Sequence, residues 1–444
     1  MKLRLYILLA GLLVPSFAGI AQENNTGYRI DVKVVGIKDT TITLAHRYGD
    51  KFYSDQTIKV DNKGAGTFTG SETLPEGMYQ LVLPDKTFLD FFIDSDQLFQ
   101  IETKVPDYVQ NNKATGHKYN QLFFNWHRAS VKYRNSPQMN TVWDTTLVSL
   151  GESLTGKFLQ GIKPFQVPES LKANSDFSSN QMAQYTYYKE HFFDDIDLSD
   201  SRLLRTPLIF NKLNQFFSKV APPQPDSISW YCDQILSETK TNHEMFQFTL
   251  QFILNYYSEP KIMGTDAVYV HLAKNYYLSG QADWIDETNL RIIGDRVAEI
   301  EHLLIGKPGP RLKNLQTPKG EIIDPFESDA EFIILYFWEP DCGHCKKTTP
   351  ELFASYNNLK ALGAEVYAIN TRDNFDNWKS FIDEHELSWV NLYSPMNVRA
   401  ILEAYNAWST PLIFILDKGK RIVAKDLDVS QVEEYLNFLS QSKK

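Results

Sequence analysis

A chain of 444 residues is longer than one hydrophobic core organises, so roughly two to four domains are expected. Hydrophobic residues at 43% and charged residues at 23% exclude both disorder throughout and a polytopic membrane protein. The formal charge of -10, or -12 once the two cations Lys2 and Arg4 are subtracted with a leader, argues against binding nucleic acid through its phosphates and against docking to an anionic membrane.

The chain opens on a basic tetrapeptide, Met1-Lys2-Leu3-Arg4, followed by an apolar run from Leu5 to Phe17 and by small residues Ala18, Gly19 and Ala21 before Gln22. This pattern predicts a secretory signal peptide over residues 1–21, cleaved after Ala21. The apolar run is shorter than the roughly 20 residues of a spanning helix, and no cysteine stands near the junction to take a lipid. The mature protein is therefore expected in an oxidising compartment, the periplasm, with no stable membrane insertion after cleavage. Cys232, Cys342 and Cys345 are too few for a disulfide scaffold, and the spacing of the last two points to chemistry.

From Tyr28 to Thr103, alternating runs recur, such as Tyr28, Ile30, Val32 and Val34, then Ile42 and Leu44, then Ile58 and Val60. A period of two predicts half-buried strands. Turn chemistry at Asp61-Asn62-Lys63-Gly64 and Pro84-Asp85-Lys86 separates them, so residues 22–115 read as an antiparallel β-sandwich, with a barrel as the alternative. Gly64-Ala65-Gly66 is assigned to a turn; without a lysine or a following helix it is no phosphate loop.

Residues 116–304 carry helical spacing. Phe246, Leu250, Ile253, Leu254 and Tyr257 share one face, and Leu290, Ile293, Val297, Ile300 and Leu304 form a second stripe. Pro168, Pro207, Pro222, Pro223 and Pro225 cut the region into several helices packed as a bundle or irregular array. Aromatic pairs such as Phe123-Phe124, Phe216-Phe217 and Tyr276-Tyr277 read as core, and Cys232 as a small buried apolar residue. The acidic run Asp194 to Asp200 lacks the glycine and terminal glutamate of a calcium loop and reads as a solvated helix end.

Gly306-Lys307-Pro308-Gly309-Pro310 stops the last helix, which opens a third domain over residues 305–444. Phe332 to Trp338 is a continuous apolar run suited to a strand buried on both faces, and a helix should follow through Leu352, Tyr356 and Leu359 to Gly363. Strands near Val366–Ile369, Leu412–Leu416 and Ile422, with helices near Trp378–Glu384 and Val432–Leu439, complete an α/β pattern.

Between that strand and helix stands Trp338-Glu339-Pro340-Asp341-Cys342-Gly343-His344-Cys345-Lys346. At a helix N-terminus, unpaired backbone N–H groups and the helix dipole stabilise an anion, so Cys342 should ionise readily and act as nucleophile. Cys345, about one turn further in, is near enough for a disulfide and suits a resolving role. Structural zinc wants four ligands, and no second cysteine pair exists to supply them. His385, on a helical pattern with Trp378 and Phe381, reads as structural.

In these residues the last third of the chain resembles the thioredoxin superfamily, most closely the exported thiol-disulfide oxidoreductases of the TlpA/ResA type. Trp338 stands at the aromatic position four before the first cysteine, Pro350 at the proline that kinks the active-site helix, and Thr410-Pro411 at the cis-proline loop. The resemblance implies a thioredoxin fold, substrate binding by Thr410 and Pro411, and tuning of the Cys342 thiolate by His344, Gly343 and Trp338. Gly343-His344 matches the dipeptide of protein disulfide isomerases. It further implies that Asn370 to Asn406 is the additional helical material of that type.

Tyr336 occupies the place of thioredoxin's buried acid, and Thr348 that of a ResA-like glutamate. Glu339, Asp341 and Glu351 are left as candidates for handling the Cys345 proton. The first two domains resemble uncharacterised β and helical domains that precede such modules in exported proteins of Gram-negative bacteria.

The expected protein is thus a periplasmic thiol-disulfide oxidoreductase acting on protein thiols or disulfides. It would need no cofactor beyond a redox-active Cys342–Cys345 disulfide, and a membrane or periplasmic electron donor or acceptor would recycle it. Reductase, oxidase and isomerase directions stay open, since direction follows from the potential of the pair. The alternative is an envelope binding or assembly protein in which the domain is structural. A peroxidase would want a Thr-x-x-Cys loop, which is absent around Cys342.

Overall fold

The computed structural model describes residues 27–171 and 177–442, so the predicted signal peptide lies outside the described residues. The chain forms two compact units. Among the described residues, one takes those up to Asn180 with His191–Asp197 and Arg202–Asn211; the other takes Gln181–Glu190, Leu198–Ser201 and those from Lys212 onward.

The first unit contains strands β1 (Arg29–Val35), β2 (Thr41–Tyr48), β3 (Lys51–Lys59), β4 (Ala65–Thr69), β5 (Gly77–Val82), β6 (Phe88–Ile93), β7 (Leu98–Lys104) and β8 (Lys113–Thr115). They build two four-stranded sheets, ordered β4-β1-β7-β8 and β3-β2-β5-β6. In β1 the alternation puts Ile30, Val32 and Val34 inside, as period two requires. Phe91 of β6 meets Phe99 of β7 edge-on at 6.1 Å and joins the inner faces.

The pairings are antiparallel except that of β1 with β7, which is parallel. Gly64 does turn, with φ at 75°, but Ala65 and Gly66 already pair with Lys33 and Val32 in the sheet. A Cβ on Gly66 would come within 2.9 Å of Ile58 Cδ1, so this glycine serves close packing within a strand.

Helices follow: α1 (Lys118–Lys132), α2 (Gln138–Leu150), α3 (Leu154–Ile162), α4 (Phe177–Glu190), α5 (Leu208–Gln215), α6 (Pro225–Thr239), α7 (His243–Tyr257), α8 (Asp266–Leu272) and α9 (Glu287–Ile300). Pro225 sits in the first turn of α6, and Asn242 caps α7 by accepting the Met245 N–H. All five residues of the predicted α7 face are buried. Two of the aromatic pairs fall in π-helical turns, Phe216–Val220 and Ala273–Tyr277. The extra residue in such a turn shifts the apolar stripe, and both members of each pair end inside.

The α/β part runs β9 (Leu315–Gln316), β10 (Ile322–Ile323), β11 (Phe332–Trp338), α10 (Gly343–Ala354), α11 (Tyr356–Ala361), β12 (Ala364–Asn370), α12 (Phe375–Glu384), β13 (Val390–Leu392), α13 (Val398–Tyr405), β14 (Leu412–Asp417), β15 (Ile422–Lys425) and α14 (Val432–Ser442). Its sheet has the order β13-β12-β11-β14-β15. Central β11 is buried at every residue, which is why its sequence is apolar without alternation. Ile334, Tyr336 and Trp338 face a core shared with Trp378 and Phe381, while Ile333, Leu335 and Phe337 face one shared with Tyr405 and Phe414.

This topology places the site. β12 runs parallel to β11, with Trp338 opposite Asn370, and β14 runs antiparallel, with Leu412 opposite Phe337. The chain therefore leaves β11, leaves β12 and enters β14 at one end of the sheet, where open α/β sheets put their ligand sites.

Candidate active site

Cys342 is the N-cap of α10, and its sulfur accepts the Cys345 N–H at 3.4 Å. Its thiol donates to the Thr410 carbonyl at 3.4 Å. Burial opposes ionisation of this half-buried sulfur. Hydrogen bonds from the Cys345 N–H and thiol and from the His344 N–H outweigh burial, so the thiol is held below its ordinary value. Cys345 is fully buried, and burial pushes its thiol up to about 12 despite the Glu339 N–H. Both are free thiols in this structure.

The signs give a pH dependence. The stabilisation of the Cys342 thiolate is present above the ordinary thiol value and is lost as pH falls through the depressed folded value. Iodoacetamide is therefore expected to label Cys342 well below the pH at which ordinary thiols react, while Cys345 stays unlabelled until strongly alkaline pH. Peptide mapping across a pH series reads this, and equal labelling of the two at neutral pH would contradict the assignment.

The Thr410–Pro411 peptide bond is cis, and the Thr410 hydroxyl donates to Glu339 Oε1 at 3.3 Å. A Cβ at Gly343 would meet nothing within 4 Å, so this glycine keeps the approach to Cys342 open without being forced by strain. His344 is exposed and reaches Cys342 through its backbone N–H. Trp338 is fully buried, stacked with Tyr336 at 6.5 Å and tilted against Phe381 at 5.2 Å, so it supports the loop from the core. Pro350 lies inside α10.

Beneath the pair, the Tyr336 hydroxyl bonds with Thr349 Oγ1 at 2.8 Å and Thr348 Oγ1 at 3.4 Å. Burial drives the Tyr336 phenol far above its ordinary value, so it stays neutral. The two positions where the resembled families hold an acid thus carry hydroxyl groups, Tyr336 bonded chiefly to Thr349 and Thr348 donating to the His344 carbonyl at 3.1 Å.

Of the three acids considered for the Cys345 proton, Glu351 is exposed on α10. Glu339 is paired with Arg372, whose Nε donates to Glu339 Oε2. Asp341 accepts from Asn374 Nδ2 at 2.8 Å and from the Asn377 amide. Arg372, Asn374 and Asn377 were not singled out from the sequence. The signal that finds them is topological: they follow a strand parallel to β11 and so emerge beside its cysteine loop.

Cys232 is fully buried in α6, and burial raises its thiol well above the ordinary value. His385 caps the C-terminus of α12 and packs on Phe381 with ring centroids 4.2 Å apart. Among the described residues no three His, Cys, Asp or Glu side chains group as metal ligands.

Residues 305–425 match the AhpC/TSA family, and residues 132–301 match a domain of unknown function, DUF5106. Over 60 residues, 14% of this chain, the sequence is 40% identical to the probable protein disulfide-isomerase A4 of Caenorhabditis elegans, and it spans 9% of that relative's length. A crystal structure of a domain of a possible thiol-disulfide isomerase from Cytophaga hutchinsonii is 30% identical, over 32% of this chain and 95% of that one, with a TM-score of 0.30. A solution structure of a thiol:disulfide interchange protein from Bacteroides sp. is 27% identical, over 30% of this chain and 90% of that one, with a TM-score of 0.28. A thioredoxin-like protein from Bacteroides caccae aligns over 62% of this chain and 99% of its own at 17% identity and a TM-score of 0.47. Residues 305–425 of the chain are thus similar to the AhpC/TSA family, and they follow a stretch similar to DUF5106.

Proposed function

We propose that this chain is an exported, periplasmic thiol-disulfide oxidoreductase that exchanges disulfides with protein clients through Cys342 and Cys345. The observation that carries the reading is a sulfur held at a helix N-cap, with its pKa depressed, in front of a second sulfur that is buried and protonated. Kinship at 40% identity over 60 residues with a probable protein disulfide-isomerase is consistent with it. The location rests on the leader-like pattern of residues 1–21.

In the reducing direction the Cys342 thiolate attacks one sulfur of a client disulfide. The client S–S bond breaks, one client sulfur leaves as thiolate, and a mixed disulfide forms. Cys345 then loses its proton and attacks Cys342 Sγ, which expels the second client sulfur. Two electrons have passed to the client and the pair is a disulfide; the same steps in reverse oxidise a client dithiol. The Thr410 carbonyl, already within reach of Cys342, and the cis Pro411 would line the backbone of an extended client. No bound cofactor enters, and a membrane or periplasmic donor or acceptor resets the pair.

Insulin reduction and refolding of scrambled ribonuclease test the reading, with the protein compared against itself after alkylation at neutral pH. The intact protein is expected to accelerate at least one reaction and the alkylated protein neither. Equal behaviour of the two would leave the domain a structural part of an envelope assembly protein. Peroxide consumption in place of exchange would assign it to peroxide chemistry.

A further inference from the structure

With hydroxyl groups beneath the cysteine pair, charge reaches Cys342 from the side. Its own stretch carries Glu339, Asp341 and His344, with Cys345 behind; the segment after β12 brings Arg372; β11 contributes the neutral Tyr336. Asp428, before α14, interacts with His344. Glu339 and Cys342 meet at Thr410, the one at its hydroxyl and the other at its carbonyl, and an uncancelled carboxylate so placed opposes ionisation of the sulfur.

Glu339 does not face Cys342 alone. One of its oxygens takes Arg372 Nε, and the other takes the Thr410 hydroxyl at 3.3 Å. Thr410 in turn receives the Cys342 thiol at its carbonyl. The Glu339 side chain is 13% exposed, so water can do little to solvate it if Arg372 is taken away. Arg372 sits in a run of ties to the same loop: the Thr371 N–H and hydroxyl both reach the Trp338 carbonyl, at 3.0 and 3.3 Å, and Asn374 and Asn377 hold Asp341.

We propose that Arg372 is a positioning residue that, by pairing with Glu339, cancels the carboxylate charge beside Cys342 and so sets the ionisation of the nucleophile and the potential of the pair. The inference rests on the exchange chemistry proposed above, since only a working thiolate gives the pairing a use. Arg372 is also drawn to the charge on Cys342 itself.

The test measures the Cys342 pKa from thiolate absorbance of the reduced full chain, and the potential of the pair against glutathione. Wild type is compared with Arg372→Gln, Arg372→Lys, Glu339→Gln and the double variant Arg372→Gln/Glu339→Gln. Arg372→Gln should raise the Cys342 pKa by about one unit and make the pair more reducing. At a pH below both pKa values one unit removes about tenfold of the thiolate and about threefold returns as nucleophilicity, so alkylation there should slow about threefold. Arg372→Lys should stay near wild type, and Glu339→Gln should lower the pKa because the cation then acts uncancelled.

The double variant should return towards wild type, a reversal that loss of structure alone would not give. An unchanged pKa in Arg372→Gln, or a double variant no different from it, overturns the inference. If Arg372→Gln fails to fold, an unmoved pKa in Glu339→Gln overturns it equally. Wild type inert towards insulin would remove the exchange reading and leave these shifts measurable; wild type active with unmoved shifts would remove this inference alone.

Discussion

Cys342→Ser is expected to bring disulfide exchange down to background, a loss of at least about a thousandfold, while Cys345→Ser is expected to keep the first attack and lose the release. The difference follows from burial. Cys345 is fully buried, with its thiol pushed up to about 12, so it cannot replace Cys342 as the attacking sulfur at neutral pH. Without Cys345 the mixed disulfide on Cys342 has no internal sulfur to resolve it and must await an external thiol. Cys345→Ser should therefore accumulate on client proteins as adducts that resist alkylation and vanish on reduction, visible on non-reducing gels. Cys342→Ser should form none. Full insulin turnover by Cys342→Ser, or adducts formed equally by both variants, would separate the chemistry from this pair.

Much of this site could be read from residues alone, because the signals are local. An uninterrupted apolar run gives a strand buried on both faces, and β11 is that strand. Cys-Gly-His-Cys, beyond a three-residue link from it, fixes which sulfur caps the helix, since the N-cap residue is necessarily the outer one. Thr410-Pro411 lies 68 residues from Cys342 and needed the family resemblance to be placed, and the structure puts its carbonyl 3.4 Å from that sulfur.

What stayed hidden depends on pairing between distant segments. The ties from Arg372, Asn374 and Asn377 follow from the parallel register of β11 with β12, which composition does not encode. The short elements β13 and α13 went unseen within Asn370 to Asn406 because three residues are too few for periodicity and the helix is only two turns long. The π turns in the α5–α6 and α8–α9 connections break the helical period at the positions of the paired aromatics, so the sequence marks the pairs as core without revealing the device that buries both members.

The buried pair Lys425–Asp266 gives the second large expected effect, this time on stability. Lys425 ends β15, the edge strand of the α/β sheet, and Asp266 opens α8. Their side chains are 7% and 8% exposed, and Asp266 Oδ2 takes the ammonium, while Asp266 Oδ1 has no hydrogen-bond partner among the described residues. The Met263 sulfur accepts the Lys425 N–H at 3.4 Å, so one short stretch of the helical region covers an edge that would otherwise offer unpaired backbone. Removing one charge strands the other in a place water does not reach. Asp266→Ala is accordingly expected to destabilise the full chain by about 3–5 kcal/mol, and Lys425→Met alone by a similar amount. The double variant Asp266→Leu/Lys425→Met, which removes both charges of the pair, should recover most of the loss. Guanidinium unfolding followed through tryptophan fluorescence, to which buried Trp338 and Trp378 contribute, reads these changes. Equal unfolding midpoints for wild type and Asp266→Ala would mean that the pair is solvated and that the helical region does not secure this edge of the sheet.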